Sequence, residues 1–239
     1  MSLAIHSLHR GRIVPTTVLQ QVHDALLLAI FERRLRPGDR LIESSLAKEL
    51  GVAQATVSQV LLDLDSKGIV SKTPNKETRI NRFSFGEIET LFSIRRPLES
   101  LAVEAVAKIA DSETEESLRF WVEEMRAANN NRNTSKFYIA DYRFHQELYQ
   151  QSRNPVIVRA WQAVAVAPFV YLLGSNKDDL IPINYEVMVT DHDEIVDAII
   201  KGRAEAVAVM RCKLEKWLNA DLSYLRDREA EEPRQKPIV

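Results

Sequence analysis

The chain has 239 residues, of which 45% are hydrophobic and 28% are charged, and its formal net charge at pH 7 is −2. This composition is ordinary for a soluble protein and provides enough residues for roughly two modest domains. The single cysteine, Cys212, excludes a disulfide framework and a zinc finger with paired cysteines, and no apolar run approaches the roughly 20 residues that span a bilayer.

Charge is distributed unevenly along the chain. Residues 1–82 carry a net charge of +4, and residues 83–239 carry −6. A basic first part and an acidic second part indicate one domain that meets phosphates and another with a different role. The N-terminal sequence MSLAIHSLHRGR lacks the apolar core of a signal peptide, so a cytoplasmic protein with no membrane partner is predicted.

The first predicted elements lead to a pair of short helices. Residues 1–15 show no periodicity and are predicted to be a flexible leader. A long helix capped by Thr16 or Thr17 follows. A short helix over Glu43–Leu50 then ends at Gly51, which permits a sharp turn.

The second short helix, over Ala53–Lys67, has an apolar back and a polar front. Helix, turn and helix in this order predict a helix-turn-helix. Small hydrogen-bonding side chains suit a helix that reads base edges in the major groove, so Gln54, Thr56 and Ser58 are predicted to face the bases. The apolar back consists of Val57, Val60, Leu61 and Leu64.

A two-stranded hairpin is predicted directly after this helix. Residues 69–71 and residues 78–80 flank a basic tip at residues 74–76. A hairpin at this place is typical of the wing of a winged helix. Ser44, Lys76 and Arg79 are predicted to lie nearer the DNA backbone than the bases.

Residues 16–82 resemble the winged-helix domain of the GntR family of bacterial transcription regulators, which implies binding to a double-stranded DNA operator. Three positions depart from the family pattern. Gln54 and Ser58 stand where arginines are usual, and Glu77 stands where a wing glycine is usual. Because arginine prefers guanine and glutamine prefers adenine, the preferred operator should differ from the usual one. The matching residues are Leu26, Ile30, residues 35–41, Glu43, Leu46, Ala47, residues 50–52 and residues 61–68.

From Ser84 onward helical signals dominate, and Ser84 with Glu87 forms a capping box. Helices are predicted over residues 84–110, 113–130, 135–152, 155–173, 183–201 and 204–225. The predicted fold class is therefore mainly α. It comprises a winged helix-turn-helix domain over residues 16–82, an all-α helical bundle over residues 83–225 and a flexible tail over residues 226–239.

Polar residues interrupt the apolar stripes of four bundle helices. Arg95 lies on the inward face of the first helix, and a buried arginine requires an anion. Asp141 and His145 lie at i and i+4 on the third helix, close enough to share a metal or a hydrogen bond. His192 and Lys213 lie on the inward stripes of the fifth and sixth helices.

This pattern is similar to the helical effector-binding (FCD) domain of the FadR-type subgroup of the GntR family, over about residues 84–222. The resemblance implies a divalent metal such as Zn or Ni held by Asp141, His145 and His192, with a small organic acid beside it. Lys213 stands where the family places its last histidine. Either the three residues hold the metal with water or effector completing the site, or Lys213 supplies the positive charge by pairing with Asp141 or with the ligand carboxylate. The resemblance is carried by Ile94, Arg95, Leu98, Glu99, Asp141, Phe144, His145, Ser152, Asn154, His192, Ile195, Ala198 and Gly202.

The sequence thus favours a homodimeric transcription regulator controlled by a small carboxylate or sugar acid bound by Arg95, His145, His192 and Lys213. Two-fold symmetry doubles the few base contacts of one winged helix, so a pseudo-palindromic operator is expected. Two alternatives come from other classes. One is a metal-dependent hydrolase or lyase that uses Asp141, His145 and His192, although no HExxH motif or nucleophile elbow supports it. The other is a helical adaptor that has lost DNA binding.

Overall fold

The computed structural model describes residues 8–9, 12–13, 17–73, 77–165 and 184–231. An N-terminal winged-helix domain precedes a C-terminal helical bundle, which confirms the predicted mainly α fold class. Ahead of the first helix, two short strands, β1 (Leu8–His9) and β2 (Arg12–Ile13), pair antiparallel. The sequence predicted only a leader here, because strands of two residues carry no measurable alternation.

The helices of the N-terminal domain follow the predicted order. Helix α1 (Val18–Phe31) is capped by the hydroxyl of Thr17, which accepts a backbone N–H at 3.2 Å. Helices α2 (Glu43–Leu50) and α3 (Gln54–Ser66) form the helix-turn-helix. Gly51 between them has φ of 67°, a left-handed conformation that glycine adopts readily. The core beneath the helices includes Leu26, Ile30, Val57, Leu61 and Leu64.

A three-stranded sheet flanks the helix-turn-helix. Strands β4 (Val70–Lys72) and β5 (Thr78–Ile80) form the predicted hairpin, with Val70 opposite Ile80. Strand β3 (Arg40–Leu41) pairs with the other edge of β5 and was not predicted, again because two residues show no alternation. The predicted wing tip, including Lys76, lies outside the described residues.

The described part of the bundle agrees closely with the predicted helices. Among the described residues, every helix is too short or too polar to span a membrane. The Ser84–Glu87 capping box is present. The Ser84 N–H donates to the Glu87 carboxylate at 2.8 Å, and the Glu87 N–H donates to the Ser84 hydroxyl at 3.4 Å. The bundle helices are α4 (Phe85–Ala107), α5 (Ser112–Asn130), α6 (Thr134–Gln151), α7 (Pro155–Val164), α8 (Tyr185–Lys201) and α9 (Arg203–Glu231).

Helix α9 is longer than predicted. It continues to Glu231, whereas the sequence placed a helix end near residue 225 and a tail from residue 226. The segment RDREAE at residues 226–231 has no apolar stripe, but alanine, arginine and glutamate favour a helix without packing contacts. The end of the helix predicted over residues 155–173 lies outside the described residues, and α7 is described to Val164.

Helix α4 carries a proline in its interior, Pro97. Proline has no backbone N–H, so the carbonyl of Ser93 lacks the partner that a regular helix provides. The helix nevertheless runs continuously from the end of the winged-helix domain through the middle of the bundle.

The two domains touch through α1 and α6. The Phe31 ring on α1 stacks on the Tyr138 ring on α6, with centroids 5.5 Å apart and planes 4° apart. Nearby, the Arg143 guanidinium on α6 donates to the Asp24 carboxylate on α1. The winged helix is therefore attached to the bundle by a packed contact as well as by the chain.

Candidate functional site

The predicted DNA-contacting residues lie on α2, α3 and β5 and differ in exposure. Ser44, Gln54 and Arg79 are exposed, whereas Thr56 and Ser58 are half-buried. Gln54 and Ser58 lie one turn apart at the start of α3, and both side chains contact the Glu43 carboxylate. Lys76 lies outside the described residues.

The Arg79 side chain is held within its own domain. Its guanidinium donates to the Gly38 carbonyl at 2.9 Å and to the Glu77 carboxylate at 3.0 Å. Glu77, which stands where a wing glycine is usual, also pairs with Arg40 at 3.2 Å. A phosphate would have to compete with this carboxylate for Arg79, so Arg79 is less available to DNA than its exposure alone suggests.

In the bundle, the three predicted metal-binding residues do come together. Asp141 and His145 project from α6 and His192 projects from α8. One ligand atom of each lies within 4.8 Å of the others. All three side chains are buried, between 0% and 8% exposed, so their charge is shielded from water.

Hydrogen bonding fixes the tautomer of His192. Its Nδ1 lies 2.7 Å from the Met188 carbonyl oxygen, which can only accept, so Nδ1 carries a proton. Its Nε2 lies 3.2 Å from the Asp141 carboxylate but makes no hydrogen bond among the described residues. A lone pair facing a carboxylate is unfavourable. Nε2 therefore requires either a second proton or a cation shared with Asp141.

His145 has the opposite arrangement. Its Nε2 lies 2.9 Å from the Arg95 guanidinium, which can only donate, so Nε2 accepts and the ring proton is on Nδ1. That Nδ1 lies 3.2 Å from the Glu99 carboxylate. In this arrangement Arg95 occupies the lone pair of His145 Nε2, and a metal would have to displace Arg95 to reach it.

Glu99 completes the cluster and was not among the predicted site residues. The Arg95 Nε donates to its carboxylate at 2.6 Å, and the two side chains are 5% and 0% exposed. Burial alone would raise the pKa of Glu99, but the Arg95 guanidinium and His145 outweigh it and lower the pKa to about 2. The available signal was the i, i+4 spacing of an arginine and a glutamate on one inward face.

The cluster has more negative than positive charge. With neutral imidazoles, Arg95 provides one positive charge against the carboxylates of Glu99 and Asp141. Burial would raise the pKa of Asp141, but His192, His145 and Arg95 outweigh it and lower that pKa. One more positive charge, a proton on His192 or a cation beside it, is required for balance. Imidazole nitrogens with a carboxylate oxygen suit Zn or Ni, so the residues present fit such an ion.

Of the alternatives that the sequence left open, the pairing of Lys213 with Asp141 is wrong, because Lys213 pairs with other carboxylates. The Lys213 ammonium lies 2.7 Å from Asp191 and also pairs with Glu194, beside an open groove of about 430 Å³. The Lys216 ammonium, 2.9 Å from Asp191, shares that carboxylate. A lysine stem is long enough to carry its ammonium from an inward position to the rim, where two carboxylates and water are available.

Trp217, one turn beyond Lys213, occupies the place expected for the ammonium. Its ring stacks on His192 with centroids 5.2 Å apart and planes 21° apart, and it lies edge-on to His145. Its Nε1 donates to Asp191 at 2.9 Å. An aromatic wall, and no lysine, therefore closes the described cluster on the α9 side.

Comparison with known proteins gives the family. Residues 19–80 match the bacterial regulatory proteins of the gntR family, and residues 90–215 match the FCD domain. The chain is a member of the GntR family with an FCD domain. It is a transcriptional regulator of that family, and the predicted resemblance is confirmed in both halves.

Relatives of this GntR-family regulator carry corresponding names. A probable D-xylose utilization operon transcriptional repressor of Paenarthrobacter nicotinovorans is 27% identical over 81% of this chain and 84% of its own. The transcriptional repressor RspR of Escherichia coli is 26% identical over 80% of this chain and 82% of its own.

Solved structures share the fold. The Escherichia coli structure McbR/YncC matches with a TM-score of 0.68 at 19% identity, covering 90% of this chain and all (100%) of that one. A putative GntR regulator from Rhodococcus sp. RHA1 matches with a TM-score of 0.61 at 22% identity, covering 90% and 97%.

The buried Arg95–Glu99 pair in this GntR-family regulator generates a stability prediction. Glu99→Leu leaves a guanidinium buried without its carboxylate and should lower the free energy of unfolding by about 3–5 kcal/mol. Arg95→Met should cost a similar amount because it strands the carboxylate. The double variant removes both charges and should recover most of that loss in urea unfolding. If the double variant instead loses the sum of the two single losses in unfolding free energy, the residues do not act as a pair.

Proposed function

We propose that this regulator binds a pseudo-palindromic operator as a homodimer, and that a small organic acid bound at the Arg95 cluster controls that binding. The observation that carries the proposal is the buried cluster, in which His192 Nε2 and Asp141 need a cation and Arg95 offers donors to an anion. A buried cluster of unbalanced charge inside a mainly apolar bundle is costly to maintain for stability alone. It is suited to a charged ligand.

Small carboxylates and sugar acids are the effector classes that this cluster suits best. A guanidinium binds a carboxylate through two parallel hydrogen bonds, and such charge-assisted bonds are stronger than neutral ones. Arg95 would exchange Glu99 or His145 for the ligand, and His145 and His192 would contribute imidazole groups. One relative is named for a D-xylose utilization operon, so acids derived from pentose sugars are the first ligands to test. Lys213, on the rim with Asp191, is removed from the proposed contacts.

A divalent metal is proposed at Asp141 and His192, with His145 as a third ligand when Arg95 turns to the effector. The bound ion would supply positive charge and open coordination positions for carboxylate oxygens. The ring of His192 is already oriented for a metal. Its Nδ1 donates its proton to the Met188 carbonyl, and this hydrogen bond leaves Nε2 directed at Asp141.

For DNA, we propose that the exposed N-terminal turn of α3 reads bases through Gln54. A glutamine amide can pair with adenine through its N6 and N7 edge, and the short side chain of Ser58 leaves the groove beside it accessible. The few base contacts of one α3 are doubled when two copies bind half-sites about one helical turn apart.

The homodimer has a candidate contact surface on α4. Ile94 and Leu101, 42% and 51% exposed, lie at i and i+7 with exposed Pro97 between them. Two α4 helices crossing antiparallel at Pro97 would place Ile94 against Leu101 of the second copy. Glu87 of one copy would then face Lys108 of the other. This self-complementary arrangement is what a two-fold interface requires.

Control requires that the acid binds one domain arrangement better than another. Helix α6 is the proposed connection, because it carries Asp141 and His145 toward the cluster and Tyr138 and Arg143 toward α1. His23, the neighbour of Asp24 on α1, contacts the end of α3. Its ring lies 3.3 Å from the ammonium of Lys67, the residue directly after α3. A shift of α6 would therefore reach both helices that hold the reading surface.

Gln54→Ala tests operator reading. Selection from randomised duplexes followed by fluorescence anisotropy should show that the variant loses about 1–3 kcal/mol of discrimination at one position per half-site, with similar affinity for random DNA. Gln59→Ala, at an exposed position on another side of α3, is the matched control and should keep the preference. A uniform loss on every duplex would assign Gln54 to the backbone contacts.

The metal proposal is tested by calorimetric titration of chelator-treated protein with Zn. Asp141→Asn should weaken binding at least about tenfold, because the carboxylate is the only anionic ligand proposed. Lys213→Met should leave the affinity unchanged, since that ammonium is paired with Asp191. If Lys213→Met strengthens binding tenfold instead, the ammonium lies close to the ion and the proposed placement is wrong.

The α6 connection is tested with Arg143→Met. The acid should still bind. The coupling free energy between acid and operator, typically about 1–3 kcal/mol, should fall to less than half of its wild-type value. Arg126→Met removes an ion pair to Asp193 inside the bundle and is the matched control that keeps the coupling. Measuring operator affinity with and without acid for each protein separates lost binding of the acid from lost coupling.

A further inference from the structure

The carboxylate of Glu43 lies at the junction of three elements of the DNA-reading domain. Glu43 is the first residue of α2, and its side chain is 24% exposed. One carboxylate oxygen lies 3.4 Å from the Gln54 amide nitrogen on α3. The other lies 3.3 Å from the Ser58 hydroxyl and 3.5 Å from the Lys72 ammonium on β4. Three donors from two other elements thus meet one acidic group.

The contact fixes the orientation of the Gln54 amide. A carboxylate can only accept hydrogen bonds, so the NH₂ end of the amide must face Glu43 and the oxygen must point the other way. One N–H remains for a base, together with the amide oxygen. An adenine edge offers one acceptor and one donor, so only one of the two amide orientations presents the matching pair at a given position.

The same carboxylate affects the Lys72 ammonium. Lys72 ends the strand that leads into the wing, and its side chain is 34% exposed. A lysine there could reach a DNA phosphate, but the Glu43 carboxylate competes for it. A negative charge on a surface that meets DNA also repels phosphates. Glu43 therefore opposes binding to DNA of any sequence.

A simpler role for Glu43 is helix stabilisation. An acidic side chain in the first turn interacts favourably with the positive end of the helix, and α2 has no side-chain hydrogen bond at its N-cap. That role would require no contact with α3 or β4. The convergence of Gln54, Ser58 and Lys72 is not explained by it.

We propose that Glu43 is the positioning residue that sets base preference on this reading surface. It holds the Gln54 amide in one orientation and restrains Lys72 from the phosphates, so that tight binding depends on the correct base. The proposal rests on operator binding through α3, as proposed above, and adds a residue that acts on the bases through another side chain.

The test compares wild type with Glu43→Gln, which keeps the size of the side chain and removes its charge. A glutamine at this position can donate or accept, so both orientations of the Gln54 amide become possible. In selection from randomised duplexes, discrimination at the position read by Gln54 should fall at least about fivefold. Affinity for random DNA should rise, and the slope of log Kd against log salt should steepen by about 1 as Lys72 gains a phosphate.

Three further variants make the result specific. Glu49→Gln removes the same charge from an exposed position on α2 and should change neither base preference nor salt slope. In a Gln54→Ala background, Glu43→Gln should not alter base preference any further. Lys72→Met added to Glu43→Gln should return the salt slope to the wild-type value. Thermal unfolding of each variant separates loss of fold from loss of preference.

The outcomes distinguish this proposal from the proposed function. If wild-type protein selects no sequence, operator binding through α3 fails and Glu43 has nothing to position. If wild type selects an operator and Glu43→Gln binds it with unchanged preference and salt slope, the role of Glu43 is overturned. If Glu43→Gln still changes base preference when Gln54 is alanine, Glu43 contacts a base itself and is not a positioning residue.

Discussion

The burial of the Arg95 guanidinium is the constraint on which the bundle depends. A buried charge must be matched, and Glu99, one turn along α4, supplies the opposite charge, while His145 on α6 accepts a hydrogen bond from the guanidinium. The same requirement fixes the tautomer of His145, determines which atoms face Asp141 and leaves His192 in need of a positive charge. Helices α4, α6 and α8 cannot be packed in another register without breaking this set. The pairing of these buried polar groups therefore constrains the arrangement of the bundle in addition to its apolar core.

Two acidic groups on this protein act through the donors that they hold. Glu99 restrains Arg95 in the bundle, and Glu43 contacts Gln54 and Lys72 on the reading surface. Under the proposed function, each carboxylate holds a donor that would otherwise bind an external anion, which is a small acid in the bundle and a phosphate in the winged-helix domain. A ligand must then displace a partner that is already present. That competition lowers affinity for any anion and increases the share of binding that depends on correct geometry.

Much of the fold could be predicted from the sequence because its signals are local. The 3.6-residue period of apolar side chains predicted α2 over Glu43–Leu50 and the helices of the bundle, and the Ser84–Glu87 box predicted the start of α4. The strands β1 to β3 were missed because two residues give no pattern. The end of α9 was misplaced because residues of high helix propensity extend a helix without an apolar stripe.

The site was predicted less completely, because the sequence does not show where the end of a long side chain lies. The i, i+4 spacing of Asp141 and His145 and the inward stripe of His192 fix the directions of short side chains, and these three do meet. The stripe also pointed Lys213 inward, but a long flexible side chain ends wherever its charge is best solvated, here at Asp191. Tertiary contacts such as Glu43 with Ser58 have no local signature, since the two residues lie on different helices.

Pro97 is the position at which α4 would bend most easily. Pro97 leaves one turn without its backbone hydrogen bond, and the Arg95–Glu99 pair ties the side chains across that same turn. An acid that draws Arg95 away from Glu99 would remove the tie where the backbone is weakest. The arm from Phe85 to Pro97 is about 18 Å long at 1.5 Å per residue, so a bend of about 10° would move its far end by about 3 Å. That end of α4 follows the wing strand β5. The loss of one ion pair would therefore displace it by nearly the spacing between successive bases.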